Sequence, residues 1–265
     1  MSSVLITGAS SGIGAATARH LHGRGFRVFG TSRSVASADR DSGVEWIVMD
    51  VCDEDSVRKG VAEVLAATPR LDALVCNAGY GIFGSVEEVT IEHAQQQLDT
   101  NFFGVLRTLR AVLPHMRDAG AGRIAIVGSL SGRAPIPFQA HYSASKAAVD
   151  NLALALRNEV RPHGIHVSLV EPGDIDTPFN DAMSWGEGSG SPYGERIRRC
   201  EQVVRESLAK APGPEHVARA IERALTARRP RVRYTVGADS ILVPVGRRLL
   251  PDWLTLSLIR SHFKI

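Results

Sequence analysis

Cysteine is scarce in this chain of 265 residues, and its few cysteines form no recognisable pattern. Cys52, Cys76 and Cys200 are odd in number and include no CxxC pair. The sequence therefore predicts neither a disulfide framework nor a zinc site. The histidines show no metal-ligand spacing, so no metal is expected. This cysteine usage fits a reducing cytoplasm, where we expect the protein to work.

Long apolar runs are also missing. No stretch reaches the roughly 18 apolar residues that a membrane-spanning helix requires. The nearest approach, at 249–265, is interrupted by Pro251, Asp252 and Arg260. The first residues pass straight into a strand-like apolar run, which leaves no room for the segments of a secretion signal. We therefore expect a soluble protein with no membrane partner.

Neither sign of charge dominates the chain. The net charge is +3 at pH 7, and the arginines are scattered rather than gathered in one block. Charge this mild and dispersed does not indicate a nucleic-acid partner. Two small clusters are interpreted as solvated edges of helices and strands, and they comprise Arg196, Arg198, Arg199, Arg228, Arg229, Arg231 and Arg233.

Apolar, β-branched runs alternate with longer helical patterns along most of the chain. The runs predict strands buried on both faces, at 4–7, 27–31, 46–50, 73–77, 123–128, 166–171 and 232–237. Helices are predicted at 12–23, 54–67, 91–117, 142–161 and 214–227. This alternation predicts an α/β fold with a doubly wound (Rossmann) parallel sheet of about seven strands and helices on both faces. The length favours a single domain over 1–265.

The segment after the sixth predicted strand is rich in glycine and serine at 186–194. Because this is the side on which open parallel sheets bind ligands, residues 174–211 are interpreted as a substrate lid. The lid and a C-terminal tail at 238–265 are predicted to form the wall of a pocket. For the tail, subunit packing and interfacial membrane contact are further alternatives. An apolar substrate body is favoured by Phe179, Met183, Trp185 and Tyr193, together with Pro137 and Phe138.

A glycine-rich turn, Thr7-Gly8-Ala9-Ser10-Ser11-Gly12-Ile13-Gly14, joins the first predicted strand to a helix. Glycine allows a tight turn and a close approach of the backbone to a pyrophosphate. The helix N-terminus adds amide donors and a favourable dipole. A simple connection between strand and helix is the alternative. The spacing is GxxxGxG, which differs from the GxGxxG of the general dinucleotide fingerprint.

Further motifs follow this turn in order. Cys76-Asn77-Ala78-Gly79 comes after the fourth strand, Asp50 closes the third, and Pro172-Gly173 with Thr177 follows the sixth. With TGxxxGxG, they resemble the short-chain dehydrogenase/reductase family over about residues 3–237, although Cys76 replaces an asparagine. The tail is more weakly similar to hydroxysteroid- and retinol-type members. The resemblance implies a nicotinamide cofactor held by Gly8, Ser10, Ser11, Gly12, Ile13, Gly14, Ser32, Arg33, Asp50, Val51, Asn77, Ala78, Gly79, Tyr142, Lys146, Pro172, Gly173, Ile175 and Thr177.

The end of the second strand bears on the choice of cofactor. NAD-selective sites commonly place an acidic residue there for the ribose hydroxyls, but this chain has Ser32 and Arg33. An arginine can pair with the ribose phosphate of NADP, and Ser11 can add a hydroxyl contact. NADP(H) is therefore predicted over NAD(H). The alternatives are a solvated Arg33, or an Asp39 or Asp41 that folds back to the ribose.

Tyr142 and Lys146 are four residues apart on a predicted helix and therefore share one face. Free tyrosine titrates near pH ~10, so it needs a nearby cation to act as a base at neutral pH. Lysine occurs only four times in this arginine-rich chain, and its use at 146 suits such a role. Ser129, closing the fifth strand, would polarise the substrate oxygen. The resemblance adds Asn101, which in the family helps to hold a proton-carrying water, and completes the catalytic tetrad.

These motifs predict an NADP(H)-dependent oxidoreductase that interconverts a carbonyl, in particular a hydrophobic ketone, and an alcohol, with Tyr142 as acid/base. An NADP-using epimerase or dehydratase is one alternative, although such relatives are usually longer. A catalytically silent NADP(H)-sensing protein is another, against which the complete tetrad argues. Family members commonly associate through the helices equivalent to 91–117 and 142–161, so a homodimer or homotetramer is expected.

Overall fold

The computed structural model describes residues 2–34, 43–177, 184–185, 191–237 and 240–265. Its strands in chain order are β1 (Ser3–Ile6), β2 (Arg27–Ser32), β3 (Glu45–Val48), β4 (Ala73–Cys76), β5 (Ile82–Phe83), β6 (Gly122–Val127), β7 (Ile165–Pro172), β8 (Ser184–Trp185) and β9 (Arg233–Val236). Seven of them form one sheet in the order β3-β2-β1-β4-β6-β7-β9, and every pairing is parallel. β5 and β8 pair separately.

The helices of the described chain are α1 (Gly12–Gly23), α2 (Glu54–Ala67), α3 (Ile91–Leu98), α4 (Gly104–Asp118), α5 (Ala140–Glu159), α6 (Gly194–Leu208), α7 (Glu215–Thr226), α8 (Leu242–Leu249) and α9 (Asp252–Phe263). The single helix predicted at 91–117 is wrong in one respect, because a π-helical turn at Asp99–Phe103 separates α3 from α4. Helices α6, α8 and α9 were not predicted from the sequence. No described helix combines the length and apolar character needed to cross a bilayer.

Side chains of each strand alternate between the two faces of the sheet and feed two apolar cores. On β1, Leu5 belongs to one core, whereas Val4 and Ile6 belong to the other. The first core is completed by α2, α4 and α5, and the second by α1 and α7. The prediction of a doubly wound sheet of seven parallel strands with helices on both faces is therefore confirmed.

The strand order reverses at β1, which lies between β2 and β4 in the sheet. Because chain connections leave β1 and β4 toward opposite sides, a crevice opens beyond their carboxyl ends. The register pairs Ile6 with Val75, so the two strands end side by side. This crevice is where the turn after β1 and the Asn77-Ala78-Gly79 segment after β4 meet.

A buried ion network ties α5, β7 and β9 together. Arg233 donates to Asp150 Oδ2 at 2.7 Å and also to Glu171 Oε1. Arg133 donates to both Glu171 carboxylate oxygens, at 2.8 and 2.7 Å. The interpretation of Arg233 as a solvated edge is wrong, because two buried carboxylates need cationic partners. The other six clustered arginines are exposed.

Candidate active site

A cavity of about 1370 Å³ lies beyond the carboxyl ends of the central strands. This volume exceeds the roughly 300–1,000 Å³ of most small-molecule pockets, so it can hold a dinucleotide and a second ligand together. The cavity brings together nearly all the predicted site residues. Only Gly14 and Asn101 lie behind its wall, among the residues predicted for the cofactor and the tetrad.

The turn after β1 is held open by glycine geometry. Gly8 adopts a φ of +64°, a conformation that L side chains rarely adopt. A Cβ on Gly14 would lie 2.1 Å from the Gly8 carbonyl oxygen, so only glycine fits at this position. Asn77 reaches across from β4, and its Nδ2 donates to the carbonyl oxygens of Thr7 and Gly8, each at 3.0 Å. Gly14 and Asn77 therefore fix the shape of the turn.

The N-terminus of α1 faces the cavity with its amide groups available. Ser11 is the N-cap residue, but its side chain makes no capping hydrogen bond, and the first turn holds no acidic residue. A helix N-terminus with no such carboxylate favours an anion. Thr177 lies beside Gly12, where an added Cβ would come within 3.5 Å of its side chain. The N-terminus of α1 therefore fits the pyrophosphate of a dinucleotide, with Thr177 next to it.

The residues after β2 and β3 line the same end of the cavity. Ser32 and Arg33 follow β2, and Arg33 is exposed at the cavity wall. Asp50 and Val51 follow β3, and the Asp50 carboxylate accepts a hydrogen bond from the Cys52 amide at 2.9 Å. This end of the cavity therefore offers a nucleotide two charged groups, namely the exposed guanidinium of Arg33 and the hydrogen-bonded carboxylate of Asp50. The alternative ribose partners, Asp39 and Asp41, lie outside the described residues.

Ser129 and Tyr142 form a hydrogen-bonded pair at the cavity wall. Ser129 follows β6 and begins a short 3-10 turn, where its Oγ accepts hydrogen bonds from the Ser131 amide at 3.2 Å and the Ser131 hydroxyl at 2.9 Å. Loss of hydration raises the pKa of Tyr142 to about 12, which the hydrogen bond from Ser129 only partly offsets and the Asp174 charge reinforces. The Tyr142 phenol is therefore protonated near neutral pH.

Lys146 lies one turn of α5 beyond Tyr142 and is almost completely buried. Its Nζ donates to the Val127 carbonyl oxygen at 3.0 Å and lies 5.8 Å from the centre of the Tyr142 ring. Burial lowers the pKa of the Lys146 ammonium to about 8, although the Asp150 carboxylate acts in the opposite direction. The lysine can thus present a cation beside the phenol.

Asn101 occupies the π-helical turn, and its side chain is fully buried. Its Oδ1 accepts from the Tyr80 amide at 3.0 Å, and its Nδ2 donates to the Tyr80 carbonyl at 2.9 Å and to Ser145 Oγ at 3.0 Å. Gly79 lies between Asn101 and Lys146, since a Cβ there would come within 3.0 Å of Asn101 Oδ1 and 3.7 Å of Lys146 Nζ. Asn101 thus connects α5 to the chain after β4.

The other end of the cavity is lined by residues that the sequence motifs did not single out. Asp174 follows β7, and its carboxylate accepts a hydrogen bond from Ser207 of α6. Apolar side chains from α6 and the C-terminal tail complete this end, namely Val203, Val204, Leu208, Leu242, Val243, Leu250, Leu258, Ile259 and Phe263. Val203, Val204 and Leu208 belong to the segment interpreted as a lid, and the other six belong to the C-terminal tail, so residues of both segments line the cavity as predicted.

Some residues expected at the pocket lie elsewhere. Phe138 and Tyr193 are absent from the lining of the main cavity, and their ring centres lie 6.5 Å apart in a separate cluster with Phe83. Phe138 has a φ of +62°, which turns its ring toward this cluster. Phe179 and Met183 fall outside the described residues, as does the side chain of Trp185.

Comparison with known proteins assigns the chain to a family. The sequence profile of short chain dehydrogenases matches residues 2–187. A 3-ketodihydrosphingosine reductase from Bacteroides thetaiotaomicron is 37% identical, over 99% of this chain and 98% of its own. Estradiol 17-beta-dehydrogenase 1 from Rattus norvegicus is 34% identical, over 94% and 77%. A short-chain dehydrogenase structure from Streptomyces avermitilis superposes with a TM-score of 0.81, at 32% identity and 97% coverage of both chains. The chain therefore belongs to the short-chain dehydrogenase/reductase family.

Proposed function

We propose that this protein is an NADP(H)-dependent oxidoreductase that reduces a hydrophobic ketone to an alcohol, and catalyses the reverse oxidation. The observation that carries the proposal is the hydrogen-bonded pair of Ser129 and Tyr142 at the cavity wall, one helical turn from the buried Lys146. This arrangement offers a carbonyl oxygen two hydroxyl groups and keeps a cation nearby.

The turn after β1 and the N-terminus of α1 would hold the cofactor pyrophosphate, because both present backbone groups without carboxylates. Arg33 would bind the ribose phosphate that distinguishes NADP, with Ser11 and Ser32 beside it. Thr177 and Ile175 would border the nicotinamide end. The bound cofactor supplies the hydride for the carbonyl carbon.

Tyr142 would act as the proton donor in the reducing direction. Its phenol is protonated near neutral pH, because burial raises its pKa to about 12. As the carbonyl oxygen gains negative charge, that phenol transfers its proton to it, and Ser129 donates a hydrogen bond to the same oxygen. The Lys146 ammonium stabilises the tyrosinate that remains. In the oxidising direction, Tyr142 must first lose its proton, so oxidation is favoured at higher pH.

A hydrophobic substrate is supported by the end of the cavity that lies away from α1. Nine apolar side chains from α6 and the tail line that end, and Asp174 is a carboxylate among them. Apolar walls with few polar groups are typical of sites for apolar ligands. A hydrophobic substrate is also consistent with the names of two similar proteins, a 3-ketodihydrosphingosine reductase and an estradiol 17-beta-dehydrogenase.

The proposed role of Tyr142 is tested by Tyr142→Phe. Ketone reduction should fall by roughly 10²-fold or more, because general acid catalysis contributes about 10²–10⁴-fold. The Kd for NADPH should change only a few-fold. Tyr193→Phe removes a phenol that bonds to Glu87 outside the main cavity, so it is a matched control with unchanged turnover. Full activity in the Tyr142→Phe protein would refute the mechanism.

The proposed cofactor preference is tested by Arg33→Gln. Loss of a charge-assisted hydrogen bond of about 1.5–3 kcal/mol should lower kcat/KM for NADPH by roughly 10- to 100-fold. The value for NADH should stay nearly constant. Arg58→Gln, which removes an exposed arginine of α2, should leave both values unchanged. A wild-type protein that prefers NADH would contradict the assignment.

A further inference from the structure

Apolar side chains are exposed mainly at one place on the molecule. Of the twelve large apolar side chains that are exposed across the described chain, seven lie between Ile241 and Leu258. Ile241 is 75% exposed, Leu249 73% and Trp253 71%. Monomeric proteins rarely leave such a patch without a use, since exposed apolar area in contact with water is unfavourable.

The two C-terminal helices have two different apolar faces. One lines the cavity, through residues such as Gly246 of α8, Leu250 directly after α8, and Ile259 of α9. The outer face carries Ile241, Val245, Leu249, Trp253 and Leu256, none of which lines the cavity. Leu242 and Leu258 contribute to both faces, because both line the cavity and yet are 72% and 53% exposed to solvent, respectively. These two residues therefore form an apolar rim that joins the outer face to the cavity.

The outer face is also basic. Arg248 stands three residues after Val245, and Arg260 four residues after Leu256, so each exposed arginine shares the face of its helix. Residues 240–265 hold four basic side chains and one acidic one, a surplus of three that equals the net charge of the whole chain. Apolar residues with arginines at the margin are the composition of helices that lie in a membrane interface.

We propose that the outer face of α8 and α9 docks on an anionic lipid surface, and that apolar substrate enters the cavity from that surface across the rim of Leu242 and Leu258. The proposed route of substrate entry rests on the hydrophobic substrate proposed above. The basic surplus complements anionic headgroups. A second copy of the chain carries the same positive charge and would cover the rim, so it fits this face less well.

The experiment is partition of the full-length protein onto vesicles of phosphatidylcholine with and without phosphatidylglycerol. Binding should require phosphatidylglycerol and weaken with salt. Trp253 emission, in a Trp46→Phe, Trp185→Phe background, should shift to shorter wavelength and be quenched by lipids brominated on their acyl chains. Arg248→Gln with Arg260→Gln should reduce partition about 30-fold, the equivalent of about 1 kcal/mol for each arginine. Leu249→Gln with Trp253→Gln should abolish it.

The control is Ile91→Gln with Arg58→Gln, which changes an exposed apolar residue of α3 and an exposed arginine of α2 and should leave partition unchanged. Reduction of a short, water-soluble ketone should be normal in both outer-face variants, whereas reduction of a vesicle-borne long-chain ketone should fall. This separates loss of docking from failure of the proposed chemistry. No partition of the wild type, or a dimer in sedimentation that the Leu249→Gln, Trp253→Gln protein loses, would overturn the proposal.

Discussion

Burial and one nearby carboxylate set the protonation of Lys146. Its pKa is about 8, so the ammonium is lost as the pH rises through that value. If reduction needs the ammonium, kcat/KM for NADPH, which reports the free enzyme, should fall above pH 8. Asp150→Asn removes the anion that raises the lysine pKa. The fall should therefore move to lower pH, by roughly half a unit to one unit.

The conservative variant distinguishes charge from structure. Asp150→Glu keeps the carboxylate, so its pH profile should stay close to that of the wild type. A variant that only lost folded protein would lower the rate at every pH without moving the midpoint. An Asp150→Asn profile with an unchanged midpoint, or one moved to higher pH, would exclude the electrostatic role of Asp150.

The strand-turn-helix unit of β1 and α1 depends on Gly14. Gly14→Ala would place a Cβ 2.1 Å from the Gly8 carbonyl oxygen and 2.6 Å from Asn77 Nδ2. The turn must then shift, at a cost of about 1–3 kcal/mol in stability, and NADPH affinity should fall sharply. Gly23→Ala, at the other end of α1, meets no atom within 4 Å and should be neutral or stabilising. Isothermal titration and urea unfolding measure both effects.

The elements differ in how far the sequence reveals them. The β1 turn and the spacing of Tyr142 and Lys146 are local, so their residues are visible in sequence and the structure brings them to one cavity. The π-helical turn at Asn101 is not visible, because the helical pattern runs through it from 91 to 117. The position of Phe138 depends on its contacts with Phe83 and Tyr193, distant along the chain. Local motifs therefore predicted the part of the cavity around Ser129, Tyr142 and Lys146 better than its apolar end.

Glu171 connects parts of the chain that are far apart in sequence. It is completely buried and accepts hydrogen bonds from Arg133, before α5, and from Arg233 on the edge strand β9. Arg233 also binds Asp150, which lies one turn of α5 beyond Lys146. The same network that holds β9 to the sheet therefore holds the helix that carries Tyr142 and Lys146.

Glu171→Gln tests this connection, because it leaves two arginines facing an uncharged amide in a buried position. Breaking a buried ion pair costs about 3–5 kcal/mol, and here the arginines are about one quarter exposed, so we expect about 2–4 kcal/mol. For a chain of this size, the melting temperature should fall by roughly 5 to 15 °C. Asp55→Asn, which breaks an exposed pair with Arg58, should leave it unchanged. If Glu171→Gln melts at the same temperature as the wild type, the network is not what fixes α5 and β9. The apolar core and the hydrogen bond from Lys146 to the Val127 carbonyl must then hold Lys146 in place.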